Sequence, residues 1–110
     1  MKKALSILFL IFQLNTFIIN GQTSVMTFNI RYDNPKDNDN WWEHRKLSIL
    51  KMFNFYSPEI IGIQEGLNHQ VKYIEKNLPD YNYIGVGRDD GKKKGEYTAI
   101  FYKKKKLKLI

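Results

Sequence analysis

Pro58-Glu59-Ile60-Ile61-Gly62-Ile63-Gln64-Glu65-Gly66 decides the fold. Pro58 stops whatever precedes it, and residues 60–63 form a short apolar run without polar alternation. A run of that kind is buried on both faces of a sheet. It ends in a carboxylate, Glu65, followed by Gly66, where the chain can turn. A charge at the mouth of a buried strand is costly unless it is paired or bound to a cation. Ligands of α/β proteins gather at the carboxyl ends of strands. Glu65 is therefore a candidate metal ligand, with an arginine or a helix N-terminus as the structural alternative.

Upstream, Ser24 to Ile30 (SVMTFNI) is β-branched and aromatic and predicts a first strand. Asn29 stands near its end, as Glu65 does in the other strand. Its amide suits a phosphate oxygen, an attacking water or a metal-binding carboxylate, or simply its own loop. Residues 31–40 (RYDNPKDNDN) read as a loop. Apolar spacing then predicts a helix over Trp42 to Phe55, ended by Pro58, and a second from Asn68 to Leu78, closed by Pro79. Tyr81 to Gly87 and Tyr97 to Tyr102 predict two more strands around a polar turn, and Leu107-Lys108-Leu109-Ile110 is expected to begin a fifth. The order β-α-β-α-β-β-β implies an α/β layer with helices on one side of a sheet. The last strand has no turn or cap after it, so the chain reads as the N-terminal portion of a larger α/β sandwich.

The 110 residues hold 18 Lys plus Arg and 11 Asp plus Glu, with 43% hydrophobic residues, a globular composition. The absence of cysteine excludes a disulfide framework, a thiolate zinc site and a cysteine nucleophile. Met1-Lys2-Lys3 followed by the apolar run Ala4 to Phe12 is too short to span a bilayer and reads as a secretory signal peptide. Cleavage after Gly21 would leave residues 22–110, with no stable membrane span, in a secreted or periplasmic protein. The net charge of +7 is uneven. Lys92 to Ile110 carries eight lysines and one acid, while Gln22 to Gly91 carries eight basic and ten acidic residues. A domain-wide basic face for nucleic acid is thus not supported by charge balance. The run Lys103 to Lys106 suits a solvated turn or edge.

Other patterns fail on their own chemistry. Asp33, Asp37 and Asp39 miss the EF-hand template, since counting from Asp37 the sixth position is Trp42 and the twelfth is Ser48. His44 and His69 make no metal-binding pair and are expected on helix surfaces. Gly85 to Gly91 is one residue too long for a dinucleotide loop, and Asp89 and Asp90 would repel pyrophosphate.

Taken together, Thr27-Phe28-Asn29-Ile30-Arg31, Trp42-Glu43-His44-Arg45 and Pro58 to Glu65 resemble the endonuclease/exonuclease/phosphatase superfamily, the DNase I-like fold. Gly87-Arg88-Asp89-Asp90-Gly91 with Gly95-Glu96-Tyr97-Thr98-Ala99-Ile100-Phe101-Tyr102 is similar to its secreted bacterial branch. The resemblance implies a four-layered α/β sandwich, of which this is the N-terminal part, and Mg²⁺-dependent phosphoester hydrolysis with Mn²⁺ as the alternative ion. It matches Glu65 to the family's metal-binding glutamate and Asn29 to a catalytic asparagine that helps hold the phosphate. Arg45, Arg88, Glu96 and Tyr97 fall at recurrent positions on the active-site periphery. The family's Asp-x-Asn pair and C-terminal Asp-His pair have no counterpart through Ile110, so the 110 residues are expected to be inactive alone. The substrate is a phosphate ester of unassigned class, nucleic acid included. The competing class is a non-enzymatic secreted module that binds anionic surfaces or nucleic acid through the basic C-terminal end.

Overall fold

The computed structural model describes residues 21–110. The proposed signal peptide therefore lies almost wholly outside the described residues. Strand β1 (Val25–Asn29) leads through a 3-10 segment (Pro35–Asn40) into helix α1 (Trp42–Tyr56), followed by β2 (Ile60–Gly66), α2 (Asn68–Asn77), β3 (Tyr81–Ile84) and β4 (Tyr97–Lys103). The strands form one sheet in the order β1-β2-β4-β3. β1 and β2 are parallel, as a helical crossover through α1 permits, and β4 pairs antiparallel with both β2 and β3.

Alternation along the central strands sets the core. Ile61 and Ile63 of β2, and Tyr97, Ala99 and Phe101 of β4, turn toward the helices and are buried. Against them pack Trp42, Ile49, Leu50 and Phe53 from α1, and Val71 and Ile74 from α2, with Leu78 just beyond it. Phe28 meets Phe53 edge to face at 5.9 Å, and Trp42 meets Tyr73 at 5.8 Å. Both helices thus cover one side of the sheet. The opposite side carries Val25, Ile84 and Ile100, all exposed, with Ile60 half-buried. The expectation that the Ile60 to Ile63 run is buried on both faces holds for one face among the described residues.

The expected fifth strand is not formed. Lys104 to Lys106 make a turn in which Lys106 N and Leu107 N donate back to Lys103 O, and Leu107 to Ile110 carry no regular structure. A strand exists only when its backbone groups find a paired neighbour, and apolar alternation alone does not supply one. The third strand also stops at Ile84, short of the expected Gly87, which makes only an isolated bridge to Tyr97.

Candidate active site

The ladder between β2 and β4 breaks at one place. Ile63 pairs with Ala99 and Gly66 with Tyr97, so Gln64 and Glu65 together oppose Thr98 alone. This is a β-bulge, and it re-aims a side chain that strict alternation would have sent toward the helices. Glu65 takes φ 60°, a left-handed conformation that costs a non-glycine residue energy. Gly66 does not itself make the turn. A Cβ there would sit 3.1 Å from Val71 and 3.3 Å from Ile30 and Ile63, so glycine is required for close packing.

The bulge brings Glu65 to Asn29, the last residue of the neighbouring strand. Asn29 Nδ2 donates to Glu65 Oε1 at 2.8 Å, and Arg31 N donates to Asn29 Oδ1 at 2.8 Å. The second bond fixes which end of the amide faces the carboxylate. Glu65 Oε2 is buried and has no hydrogen-bond partner. A desolvated carboxylate oxygen without a donor is costly, and a cation is the partner that would offset the cost. Among the described residues no group of three or more His, Cys, Asp or Glu side chains could hold a metal. A single buried carboxylate oxygen is a donor of the kind Mg²⁺ takes, an ion that keeps several waters and needs only one or two protein carboxylates.

The pair sits at the ends of two strands, and one buried side chain ties together the segments that follow them. Gln70, in the first turn of α2, is fully buried. Its Oε1 accepts from Leu67 N and Asp33 N, each at 3.0 Å, and its Nε2 donates to Arg31 O at 2.9 Å. The segment after Asn29 is thereby fastened to the segment after Glu65. Asp33 accepts from Trp41 Nε1 at 2.6 Å and lies 2.7 Å from His69 Nε2. Arg45 donates through Nη2 to Ile30 O at 2.9 Å and through Nε to Asn40 O, holding the start of α1 against the end of β1.

Arg31, also left-handed at φ 61°, pairs with Asp37 at 2.8 Å. The hydrogen bond with Asp37, and the charges of Asp37 and Glu65, raise the Arg31 pKa. The same hydrogen bond holds the Asp37 carboxyl below its ordinary range. Arg31, whose N–H bonds Asn29, lines an open cavity of about 360 Å³ with Asp37, Asn40 and Arg45. Two guanidiniums against one carboxylate leave it with a positive balance.

The remaining sequence candidates sit in the loop between β3 and β4, Arg88 and Glu96, and at the first residue of β4, Tyr97. Arg88 pairs with Glu96 at 2.9 Å and lies 3.4 Å from Asp89. Tyr97 is buried, and its hydroxyl accepts from Asn68 Nδ2 at 2.6 Å and donates to Lys92 O at 2.8 Å. It joins the start of α2 to the loop before β4. In that loop Asp90 Oδ1 accepts from the backbone N–H groups of Lys92, Lys93 and Lys94 at 2.8–2.9 Å. A Cβ on Gly87 would lie 2.2 Å from Lys94 O, so the loop closes over a glycine. The structure thus brings Asn29 and Glu65 into direct contact. Arg45 reaches the end of β1 through the Ile30 backbone, Tyr97 pairs in the ladder with Gly66 next to Glu65, and Arg88 and Glu96 bond each other.

The sequence reading missed Gln70, Arg31, Asn68 and the Asp33–His69 contact. Gln70 had a signal: glutamine at the third helical position reaches back to the cap as half of a capping box. Leu67 stands where Ser or Thr would have completed it.

No family model matches the chain. Among solved structures it is similar to an endonuclease/exonuclease/phosphatase of Bacteroides vulgatus, at 46% identity and TM-score 0.74, over 76% of this chain and 32% of that one. It is also similar to a mannosyl-6-phosphatase of Bacteroides thetaiotaomicron, at 41% identity and TM-score 0.77, over 81% of this chain and 34% of that one. In sequence and fold the chain is similar to part of these endonuclease/exonuclease/phosphatase superfamily proteins. A curated relative, the CCR4-Not complex 3'-5'-exoribonuclease subunit Ccr4 of Mycosarcoma maydis, is 30% identical over 106 residues, 79% of this chain and 16% of that protein. The chain spans about a third of the solved superfamily relatives it matches and a smaller part of the curated one. Its four-stranded mixed sheet with two helices is a partial DNase I-like fold.

Proposed function

We propose that the whole protein is an exported, divalent-metal-dependent phosphoester hydrolase in which Glu65 binds the ion and Asn29 orients Glu65. The observation that carries this is the buried, partnerless Oε2 of Glu65, placed by a strained bulge beside an amide that already bonds the other oxygen. Relatives that include a mannosyl-6-phosphatase and an exoribonuclease support the reaction class. Bound there, Mg²⁺, or Mn²⁺ in its place, would neutralise charge on the phosphoryl oxygens and the leaving oxygen. The chain's own residues do the positioning. Asn29 Nδ2 has a second N–H beyond the one given to Glu65, the donor available to a phosphoryl oxygen. Arg31 and Arg45 make the adjoining cavity attractive to an anion without adding a second metal ligand.

The described residues supply one carboxylate and no general base in contact with it, so residues 22–110 alone are inactive in this reading. Export rests on the basic, then apolar, N-terminal segment, most of which lies outside the described residues. Arg88, Glu96 and Tyr97 shape the rim: the first two as an ion pair, the third as a strut under the loop.

The test is Glu65→Gln in the full-length protein, with hydrolysis of a generic phosphomonoester and a generic phosphodiester followed across a Mg²⁺ titration and melting measured alongside. Gln keeps the volume and loses the anionic oxygen. Turnover falls by about 10²-fold or more while the fold persists, on the scale of a lost Lewis-acid contribution. Near-normal turnover at low Mg²⁺ would make Glu65 a structural residue.

A further inference from the structure

The pole opposite Glu65 combines two features that the hydrolytic site does not use. At the end of α1, Phe55 and Tyr56 are 81% and 65% exposed, and Leu47, two turns back on the Phe55 face, is 61% exposed. Lys51 stands between Leu47 and Phe55 on that same face. Large apolar side chains on the outer face of a helix gain nothing from water, and Phe55 and Tyr56 stand side by side, with Leu47 set apart beyond Lys51. The second feature is the lysine turn after β4. Lys103 Nζ donates to Ser57 O and Ser57 Oγ, both at 2.7 Å, which seats the turn against the residue following Tyr56. Lys103, Lys105 and Lys106 line a cavity of about 240 Å³ with Asn54, Ser57 and the apolar floor of Leu78, Pro79 and Tyr81.

The charges at this pole do not cancel. Lys106 pairs with Glu59, and Asp80 lies on the cavity wall. Lys51, Lys104, Lys105 and Lys108 make no side-chain ion pair among the described residues. The result is an exposed aromatic pair at the end of α1 with a lysine turn seated beside it, complementary to a surface that is anionic outside and apolar beneath.

We infer that this pole is a docking surface for an anionic lipid bilayer, with Phe55 and Tyr56 entering the interface and the lysines meeting phosphate headgroups. The Phe55 and Tyr56 rings meet edge to face, centroids 5.1 Å apart at 86°. Two rings so crossed do not offer parallel platforms for successive bases, which favours a bilayer over single-stranded nucleic acid. Apolar side chains flanked by lysines whose stems can lie along the interface are the arrangement a membrane surface takes up. Glu65 lies five residues along β2, about 17 Å away at roughly 3.3 Å per residue, so docking leaves the bulge facing away from the bilayer.

The test is co-sedimentation of the full-length mature protein with vesicles of equimolar phosphatidylglycerol and phosphatidylcholine, and with vesicles of phosphatidylcholine alone. Binding is expected to the anionic vesicles only and to weaken with added salt. It should fall at least about tenfold in Phe55→Ser/Tyr56→Ser and in Lys104→Glu/Lys105→Glu, as lost interfacial area and near-surface lysines dictate. Both doublets alter exposed side chains, and circular dichroism checks that each variant is folded. Three results would overturn the inference: no binding of the wild type to anionic vesicles, binding indifferent to both doublets, or tighter Phe55- and Tyr56-dependent binding to a single-stranded oligonucleotide than to the vesicles.

Discussion

The two ends of β2 are built on opposite plans. At its start the strand runs in regular register, Ile60 against Tyr102 and Ile61 against Phe101. There the neighbouring left-handed residue, Ser57, does ordinary work, ending α1 with its N–H on Phe53 O at 2.9 Å. At its finish the register slips, Glu65 is left-handed with no helix to end, and a buried oxygen lacks a partner. Regular pairing satisfies every backbone group and leaves nothing to react. The irregular end accumulates strain and an unmet charge, and packed neighbours hold it in place. The proposed metal site sits where the ladder fails, and the surrounding polar tethers are what the failure costs.

If that contrast is right, removing a tether at the finish should cost far more than removing one at the start. Gln70→Leu would strand Leu67 N, Asp33 N and Arg31 O, three part-buried groups gathered on one fully buried side chain. The expected loss is roughly 3 kcal/mol or more, since each buried group without a partner costs about 1–3 kcal/mol. Gln70→Glu keeps the acceptor for both N–H groups and loses only the donor to Arg31, so it should fall between. Denaturant melts of the full-length variants measure both, and Mg²⁺ affinity should drop in the same order as the Asn29–Glu65 contact loosens. A Gln70→Leu protein as stable as the parent would break the comparison.

The next effect has the opposite sign. Glu65→Gly relieves the left-handed strain and removes the partnerless oxygen, so it should stabilise by about 1 kcal/mol while abolishing turnover. Ser57→Gly should gain less, because the glycine loses the 2.7 Å bond from Lys103 to Ser57 Oγ. Differential scanning calorimetry on the two variants reads this asymmetry directly. Equal gains would mean that Glu65 is no more strained than an ordinary helix stop. At the regular end, Lys103→Met removes an ammonium from the last carbonyls of α1 and should cost only about 0.5–1 kcal/mol. A loss as large as that of Gln70→Leu, measured in the same melts, would remove the distinction.

How much of this was legible follows the same division. Regular elements announce themselves through period. Leu47, Leu50 and Asn54, with Ile49 and Phe53, marked the helical spacing of α1, although Leu47 and Asn54 are exposed and only the other three are buried, and β-branched and aromatic runs marked β1 and β4. Asn29 and Glu65 stood out because each is polar at the end of an apolar strand. The bulge did not stand out, since propensity has no term for a glutamate at φ 60° and Gly66 drew the turn one residue too late. Gln70 was hidden by Leu67 at the cap. Leu107 to Ile110 read as a strand because alternation is local, whereas pairing is decided by whatever backbone lies alongside.

The smallest effect belongs to the rim of the irregular end. The backbone N–H of Lys94, followed by those of Lys92 and Lys93, holds the Asp90 carboxyl below its ordinary range, against the opposing pull of burial. A carboxyl with a depressed folded pKa contributes its stabilisation fully above the unfolded value of about 3.9, and loses it as pH falls through the lower folded value. The loop should therefore stay closed through the mildly acidic range and loosen only below the point where free aspartate titrates. Because the side chain is exposed, the effect is confined to the loop and should leave the global melting temperature nearly unchanged. Tyr97 senses it, since its hydroxyl donates to Lys92 O. Amide exchange of Lys92, Lys93 and Lys94, followed by NMR against pH, should show protection lost at low pH in the parent and at every pH in Asp90→Ala. Asp90→Asn keeps an acceptor oxygen and should retain part of the protection without the pH dependence. If the three amides exchange alike in the parent and in Asp90→Ala at neutral pH, the carboxylate does not hold the loop. The rim would then be organised by Gly87 and the Arg88–Glu96 pair alone.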